Sequence, residues 1–141
     1  WHARLLDSIR SHGYTALSKR HPKGLAAGKS LFATNSDVEL VQVGMDSLAN
    51  VAGYVFDITA SAFMEAMCTL KPIVLIDIPN RRLTQEGRRR IQESVQIVEA
   101  YFDSQNRVQI DQASLADALR EPVDLDARHK FLNDYLLSPP Q

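Results

Sequence analysis

The stretch DITASAFMEAMCTLKPIVLIDIP, residues 57–79, decides the fold. With the apolar run GYVFDI at 53–58, it predicts a buried strand, a helix over TASAFMEAMCTL (59–70) and a second buried strand over PIVLIDI (72–78). Strands that are apolar on both faces are typical of parallel sheets covered by helices. The helix has about the minimum length for a crossover between parallel strands, so we predict a parallel strand–helix–strand unit here.

The N-terminal part of the chain shows the same alternation. ARLLDSIRSH (3–12) predicts a helix that ends at Gly13, and a short strand follows at about 14–18. SLFAT (30–34) is weakly strand-like, VELVQVG (38–44) alternates like a strand, and MDSLAN (45–50) predicts a short helix.

Residues 84–141 predict one long helix, a strand and two further helices. The long helix starts at about Thr84, and its apolar face is formed by Ile91, Val95, Val98 and Phe102. RVQI (107–110) predicts the last strand, and SLADALRE and ARHKFLNDYLL predict the last helices, the first with Ser114 and Asp117 spaced as a capping box. The whole alternation predicts an α/β fold, a three-layer parallel sheet with helices on both faces, in a single domain over residues 1–141.

Composition limits the possible functions. The chain is 45% hydrophobic, enough for one core, and its 16 lysines and arginines balance 17 aspartates and glutamates, so no overall charge favours nucleic acid. The single cysteine, Cys68, is expected to be a buried small side chain in a reducing, cytoplasmic protein. No apolar run approaches the roughly 20 residues of a membrane-spanning helix. We expect a piece of a longer two-domain protein, whose other part could associate with a membrane.

The turn DITAS predicts an anion site, because ligands of open parallel sheets bind beyond the carboxyl ends of the strands. A helix starting at Thr59 to Ser61 would offer free backbone N–H groups, the positive end of its dipole and two hydroxyls to a phosphate. Glu65 follows on the same face, about 6 Å along the axis, where a carboxylate could bind the hydroxyls of a ribose. The alternative is a helix cap followed by a solvated acid.

Two basic loops could contact the same ligand. Lys19, Arg20 and His21, with Pro22 fixing the turn, would bracket a diphosphate from the opposite side, or form an exposed basic turn. The second loop contains a larger set of cations, which could contact a donor phosphate or an anionic polymer: Arg81, Arg82, Arg88, Arg89 and Arg90. The alternative is a solvated face with Glu86 and Glu93 as partners. We find no metal motif, no dinucleotide fingerprint and no P-loop, and we expect no cofactor.

These motifs resemble the C-terminal nucleotide-binding domain of GT-B glycosyltransferases, most closely the branch of CDP-glycerol glycerophosphotransferases and capsule or teichoic acid polymerases. The similarity covers most of residues 14–78. The residues of this chain that match the first motif, [Lys/Arg]-x-His-Pro after a strand, are Lys19, His21 and Pro22. Those that match the second motif, a Ser-containing turn followed by an acid and Lys-Pro, are Ser61, Glu65, Ala66, Lys71 and Pro72.

The resemblance implies the donor half of a transferase that moves a sugar or an alditol phosphate from a CDP- or UDP-linked donor to a cell-envelope polymer. Lys19 and His21 would neutralise the leaving diphosphate, Thr59 and Ser61 would bind it, and Glu65 would hold the ribose. The catalytic base and the acceptor site would lie on an N-terminal domain outside this chain. The chain alone would therefore bind the donor nucleotide without turnover.

Two other functions stay open. One is a UDP-sugar 2-epimerase-like domain, which shares this architecture and would take proton-abstracting carboxylates from its other domain. The other is a non-enzymatic α/β interaction module with a vestigial nucleotide crevice. It is suggested by two departures from the transferase pattern, Ala60 where a second serine is usual and Asp57 one residue early. A third departure, Leu70 in place of glycine, weakens the expectation of full activity.

Overall fold

The computed structural model describes residues 1–19, 38–40 and 50–137, and its contacts group into two compact units, Trp1–Asn50 and Val51–Gln141. The first unit contains helix α1 (His2–Ser11), which buries Leu5 and Leu6, and the parallel pair of strands β1 (Leu17–Lys19) and β2 (Val38–Leu40). These elements confirm the helix predicted at the N-terminus and two of the strands predicted for the N-terminal part of the chain. The strand predicted at 30–34 and the helix predicted from 45 lie outside the described residues, apart from residue 50.

The second unit contains a four-stranded sheet and four α-helices. Its elements are, in chain order, β3 (Tyr54–Phe56), α2 (Ser61–Met67), β4 (Ile73–Asp77), α3 (Gln85–Ile91), β5 (Gln96–Phe102), β6 (Val108–Ile110), α4 (Gln112–Arg120) and α5 (Leu125–Leu132). A 3-10 turn follows β4 at Pro79–Arg81, and a π-helical turn, Asn133–Leu137, follows α5. The strand order is β3-β4-β5-β6, with β3, β4 and β5 parallel and β6 antiparallel. The α/β prediction is confirmed, while the sheet is mixed rather than wholly parallel.

The β3–α2–β4 unit forms as predicted. All five residues of β4 are buried, which explains why the apolar residues 73–76 run without a break up to Asp77. Helix α2 packs Phe63 against Phe56 in an edge-to-face arrangement, with the ring centroids 5.5 Å apart. Gly53 lets β3 approach the start of β4, because a Cβ there would lie 3.1 Å from the Pro72 carbonyl oxygen. None of the described helices is both long and apolar enough to cross a membrane.

The prediction of one long helix from Thr84 is wrong. Helix α3 ends at Ile91, a turn covers 92–95, and residues 96–102 form β5 beside β4. Of the four residues predicted to form the apolar face of the long helix, Ile91, Val95 and Val98 are buried, whereas Phe102 is exposed on β5. Spacings of three and four residues also arise where a helix ends and a strand begins. The β-branched and aromatic content of VQIVEAYF favours a strand, and pairing with the buried strand β4 decides the outcome.

The antiparallel direction of β6 follows from its short connection to β5. Only residues 103–107 separate the two strands, which is too short for a crossover between parallel strands. Asp103 organises this turn, because its carboxylate accepts hydrogen bonds from the backbone N–H groups of Gln105 and Arg107 and from the Arg107 and Gln109 side chains. Asn106 adopts a positive φ of 57°, which asparagine tolerates better than most residues.

Two local predictions are also wrong. Ser114 and Asp117 form no capping box, because α4 starts at Gln112 and Asp111 is its N-cap, accepting hydrogen bonds from the Ser114 N–H and hydroxyl groups. Cys68 is exposed rather than buried. Helix α2 ends at Met67, so Cys68 lies beyond its buried face and donates only a long hydrogen bond to the Met64 carbonyl oxygen.

One buried charge connects the loops at the amino ends of β4 and β5. The Arg128 side chain, on α5, is 2% exposed. Its guanidinium donates to the carbonyl oxygens of Thr69 (3.0 Å), Lys71 (2.7 Å) and Ser94 (2.9 Å). Burial lowers the pKa of Arg128, although an arginine starts so high that it stays charged. Arg128 therefore fixes α5 to the two loops that lead into the central strands.

We expect Arg128→Met to lower the free energy of unfolding by about 3 kcal/mol, because one buried and two part-buried carbonyl groups lose a charged donor. Arg120→Met, at the exposed end of α4, is the matched control and should change stability little. Urea unfolding followed by circular dichroism measures both variants. Equal stability of the two variants would contradict this role of Arg128.

Asp103 makes the stability depend on pH. Hydrogen bonds from the Arg107 backbone and then from Gln109 lower the pKa of this carboxyl below its ordinary value. A lowered pKa in the folded state means that the stabilisation is present above the ordinary value of about 4 and is lost as the pH falls below it. We therefore expect the melting temperature of Asp103→Asn to vary less between pH 5 and pH 3, roughly, than that of the wild type.

Asp126→Asn removes an exposed acid and serves as the control for this measurement. It should retain the pH dependence of the wild type. If the melting temperatures of the wild type and of Asp103→Asn changed equally over this pH interval, a stabilising role of the ionised Asp103 would be excluded.

Candidate functional site

A shallow cleft lies at the carboxyl ends of β3 and β4. It encloses about 260 Å³ of empty space, counting its open mouth. The residues that line it come from the ends of both strands and from the two loops that follow them, and they include Asp57, Ile58, Thr59, Asp77, Arg81 and Leu83. We call this feature the carboxyl-edge cleft. It lies where the sequence predicts a ligand site, because parallel strands end at the same edge of a sheet.

Helix α2 begins beside this cleft with an uncapped N-terminus. Ala60 is the N-cap residue and has no side-chain acceptor, and the Ser61 and Ala62 backbone N–H groups have no acceptor among the described residues. Thr59, Ser61 and Glu65 are all exposed. Of these three, only Thr59 lines the cleft. Glu65 lies one helical turn beyond Ser61, as the sequence predicts.

The other predicted phosphate contacts belong to the first unit. Lys19 is the last residue of β1. His21, Arg20 and Pro22 lie outside the described residues. The contribution of Lys19 and His21 to a nucleotide site therefore stays a prediction.

The arginines predicted to contact anions are largely engaged by acids. Arg89 and Arg90 both bind Glu86, and their hydrogen bonds lower the pKa of that carboxyl to about 2. The Arg90 guanidinium also lies 4.7 Å from the centre of the Tyr135 ring, a cation–π distance. This is the arrangement of the alternative interpretation, a solvated face with Glu86 as partner.

The arginines nearest the cleft differ in how firmly they are held. Arg81 is half exposed and reaches Asp57 only at 4.0 Å. Arg82 is exposed and forms no ion pair in the part of the chain that the structure describes. Arg81 and Arg82 are therefore the cations of this loop that an anion could recruit at low cost.

Asp77, which lines the cleft, forms an ion pair with the partly exposed Arg88 that the sequence did not predict. The Asp77 side chain is 3% exposed and accepts from Arg88 at 2.8 Å and from the Leu83 N–H at 3.3 Å. Arg88 also binds Glu99 at 2.9 Å, and Asp77 and Glu99 are register partners on β4 and β5. The sequence signal for this pair is an acid at the end of a fully apolar strand, because such a carboxylate requires a partner.

Within the described ranges, no group of three histidine, cysteine, aspartate or glutamate side chains could hold a metal ion. Comparisons with models of protein families, with curated proteins and with solved structures find no match. The resemblance to GT-B glycosyltransferases therefore stays a prediction from motifs. The polar side chains that line the cleft are the Asp57 and Asp77 carboxylates, the Thr59 hydroxyl and the partly exposed Arg81 guanidinium, and the uncapped start of α2 lies beside them.

We expect Arg88→Met to lower the free energy of unfolding by about 3 kcal/mol, because it leaves the Asp77 carboxylate buried without its cation. The double variant Asp77→Asn/Arg88→Met should be more stable than Arg88→Met alone, since the buried charge is then removed as well. Arg89→Met, on the exposed side of the same helix, is the control. Urea unfolding of the wild type, the single variants Asp77→Asn and Arg88→Met and the double variant completes a double-mutant cycle. If the losses of unfolding free energy in the two single variants added up to that of the double variant, Asp77 and Arg88 would not be coupled.

Proposed function

We propose that this chain is the donor-nucleotide-binding part of a transferase that moves a sugar or an alditol phosphate from a CDP- or UDP-linked donor to a polymer acceptor. The proposal includes a Rossmann-like GT-B half domain, in which the parallel strands β3, β4 and β5 belong to a three-layer arrangement. The observation that supports it best is the uncapped start of α2 beside the carboxyl-edge cleft. Donor diphosphates of this class carry the negative charge that such an edge attracts.

In this proposal the diphosphate binds at the start of α2. The Ser61 and Ala62 N–H groups are available as donors, and the exposed Thr59 and Ser61 hydroxyls add two more. Arg81 supplies positive charge at the mouth of the cleft. Its 4.0 Å contact with Asp57 is long and partly exposed, so exchanging that contact for a phosphate costs little.

Glu65 is the proposed ribose ligand. It is exposed on the same face of α2 as Ser61 and lies one turn further along the helix. A carboxylate one turn from a bound phosphate can accept hydrogen bonds from both ribose hydroxyls. These contacts to phosphate and ribose do not distinguish cytosine from uracil, so other residues would have to recognise the base.

Lys19 and His21 are proposed to neutralise charge that develops on the leaving diphosphate, as the resemblance implies. The catalytic base and the acceptor site are proposed to lie on an N-terminal domain outside this chain. Under this proposal the 141-residue chain binds the donor nucleotide and does not catalyse transfer.

One observation favours a second function, that of an interaction module whose nucleotide crevice is vestigial. The acids at the ends of β3 and β4 already hold arginines, Asp57 with Arg81 and Asp77 with Arg88. The cleft is also shallow. A crevice whose charges are matched internally gains less from a diphosphate, so nucleotide binding separates the two functions.

We expect CDP or UDP to bind the full chain with a dissociation constant between micromolar and millimolar, about 4 to 8 kcal/mol of binding free energy. Titration followed by ¹H–¹⁵N NMR should shift the backbone signals of residues 57–65. GDP and ADP are the comparison nucleotides, and the resemblance to CDP- and UDP-dependent transferases implies that they bind more weakly. Glu65→Gln should weaken binding by removing a ribose ligand, and Ser61→Ala should weaken it by removing a phosphate donor.

Asp117→Asn is the matched control, because Asp117 is an exposed helical acid on α4 that does not line the cleft. It should leave nucleotide affinity unchanged. Absence of any saturable shift at several millimolar, for all four nucleotides, would reject nucleotide binding by this chain and favour the interaction module.

A further inference from the structure

We infer that a second pocket, at the amino ends of β4 and β5, binds a small amino carboxylate, a ligand with a carboxylate at one end and an ammonium group at the other. This amino-edge pocket encloses about 300 Å³ of empty space, counting its open mouth. It lies between the strand starts at Pro72 and Val95 and the linker from α4 to α5 at Pro122 and Val123. It is therefore at the opposite end of the strands from the carboxyl-edge cleft.

The first argument is an unused donor on a buried cation. Arg128 lines the pocket and is 2% exposed. Its terminal nitrogens donate to three carbonyl oxygens, but its Nε–H is buried and has no acceptor among the described residues. A buried N–H group of a charged side chain without a partner is costly, so an acceptor that displaces the lining of the pocket and reaches Nε would be bound favourably.

The second argument is the missing negative charge. No carboxylate in the described part of the chain lies within ion-pair distance of Arg128, and its three acceptors are neutral. A buried charge is usually paired, because carbonyl dipoles replace only part of what water supplied. One negative charge on the ligand would complete this environment, and a carboxylate matches the guanidinium in geometry.

The third argument is for an ammonium group at the end of the ligand opposite its carboxylate. Three exposed acids also line the pocket, Glu93, Glu121 and Asp124. A doubly charged phosphate would be repelled by these acids, whereas an ammonium group directed at them would be attracted. The combination of an inner cation and outer acids therefore favours a ligand that carries both charges.

The test compares three probes on the full chain by ¹H–¹⁵N NMR: 4-aminobutanoate, butanoate and inorganic phosphate. We expect 4-aminobutanoate to bind at about 1 to 10 mM and to shift the signals of Ser94, Val95, Gln96 and Val123. Butanoate lacks only the ammonium group and should bind more weakly, and phosphate weaker still. Glu121→Gln should weaken 4-aminobutanoate about two- to fivefold, the effect of one partly exposed charge, without changing butanoate binding.

Asp117→Asn, an exposed acid outside the pocket, is the control and should leave all three affinities unchanged. Arg128→Lys should abolish binding of 4-aminobutanoate, and the Glu121→Gln comparison remains decisive if that variant does not fold. Three results would each overturn the inference. The first is no saturable shift of the pocket signals by 4-aminobutanoate at 50 mM, roughly ten times the expected dissociation constant. The others are an affinity for butanoate equal to that for 4-aminobutanoate, and an affinity for phosphate higher than both.

Discussion

The second unit depends on the way one guanidinium holds two loops at the amino ends of its central strands. Arg128 donates to carbonyl oxygens that precede both strands, those of Thr69 and Lys71 before β4 and that of Ser94 before β5. The Ser94 hydroxyl returns a hydrogen bond to α5 through the Ala127 carbonyl oxygen, at 3.3 Å. Because these carbonyl groups precede the strands, their positions determine where β4 and β5 enter the sheet. The last helix of the unit thus fixes elements that lie more than 30 residues earlier.

A second arginine performs the corresponding task at the other end of the same strands. Arg88 joins Asp77 and Glu99, the last register partners of β4 and β5, and holds α3 over the carboxyl edge. The charged groups around the two arginines differ between the two edges of the sheet. At the carboxyl edge the charges are matched and only Arg81 and Arg82 remain easily recruited, whereas at the amino edge the cation is buried and the acids are exposed. The two ends of one pair of strands therefore suit ligands of different charge.

The local patterns of the sequence predicted β3, α2 and β4 because each of these elements has a pattern of its own. The apolar run of β4 is unbroken, and α2 buries Phe63, Ala66 and Met67 at helical spacing. The strand β5 was not predicted, because Val98 continues the helical spacing of Ile91 and Val95, although Ala100 is the other buried residue of β5 and Phe102 is exposed. Pairing with β4 decides between helix and strand. The direction of β6 could have been inferred from the short connection at 103–107. The role of Arg128 could not, since its acceptors are backbone carbonyl groups that carry no sequence signal.

The short strand β6 also determines what the four-stranded sheet presents to other chains. The sheet ends on this side with three residues, Val108–Ile110, in the part of the chain that the structure describes. A sheet edge attracts foreign strands in proportion to the row of free N–H and C=O groups that it offers, and three residues offer a short row. Tyr101 and Phe102 are exposed on the neighbouring strand, so this corner carries apolar side chains that would otherwise invite edge-to-edge pairing. The outer row of β6 is therefore short, but residues 96–99 of β5 have no strand on the same side among the described residues, so the sheet edge continues along β5.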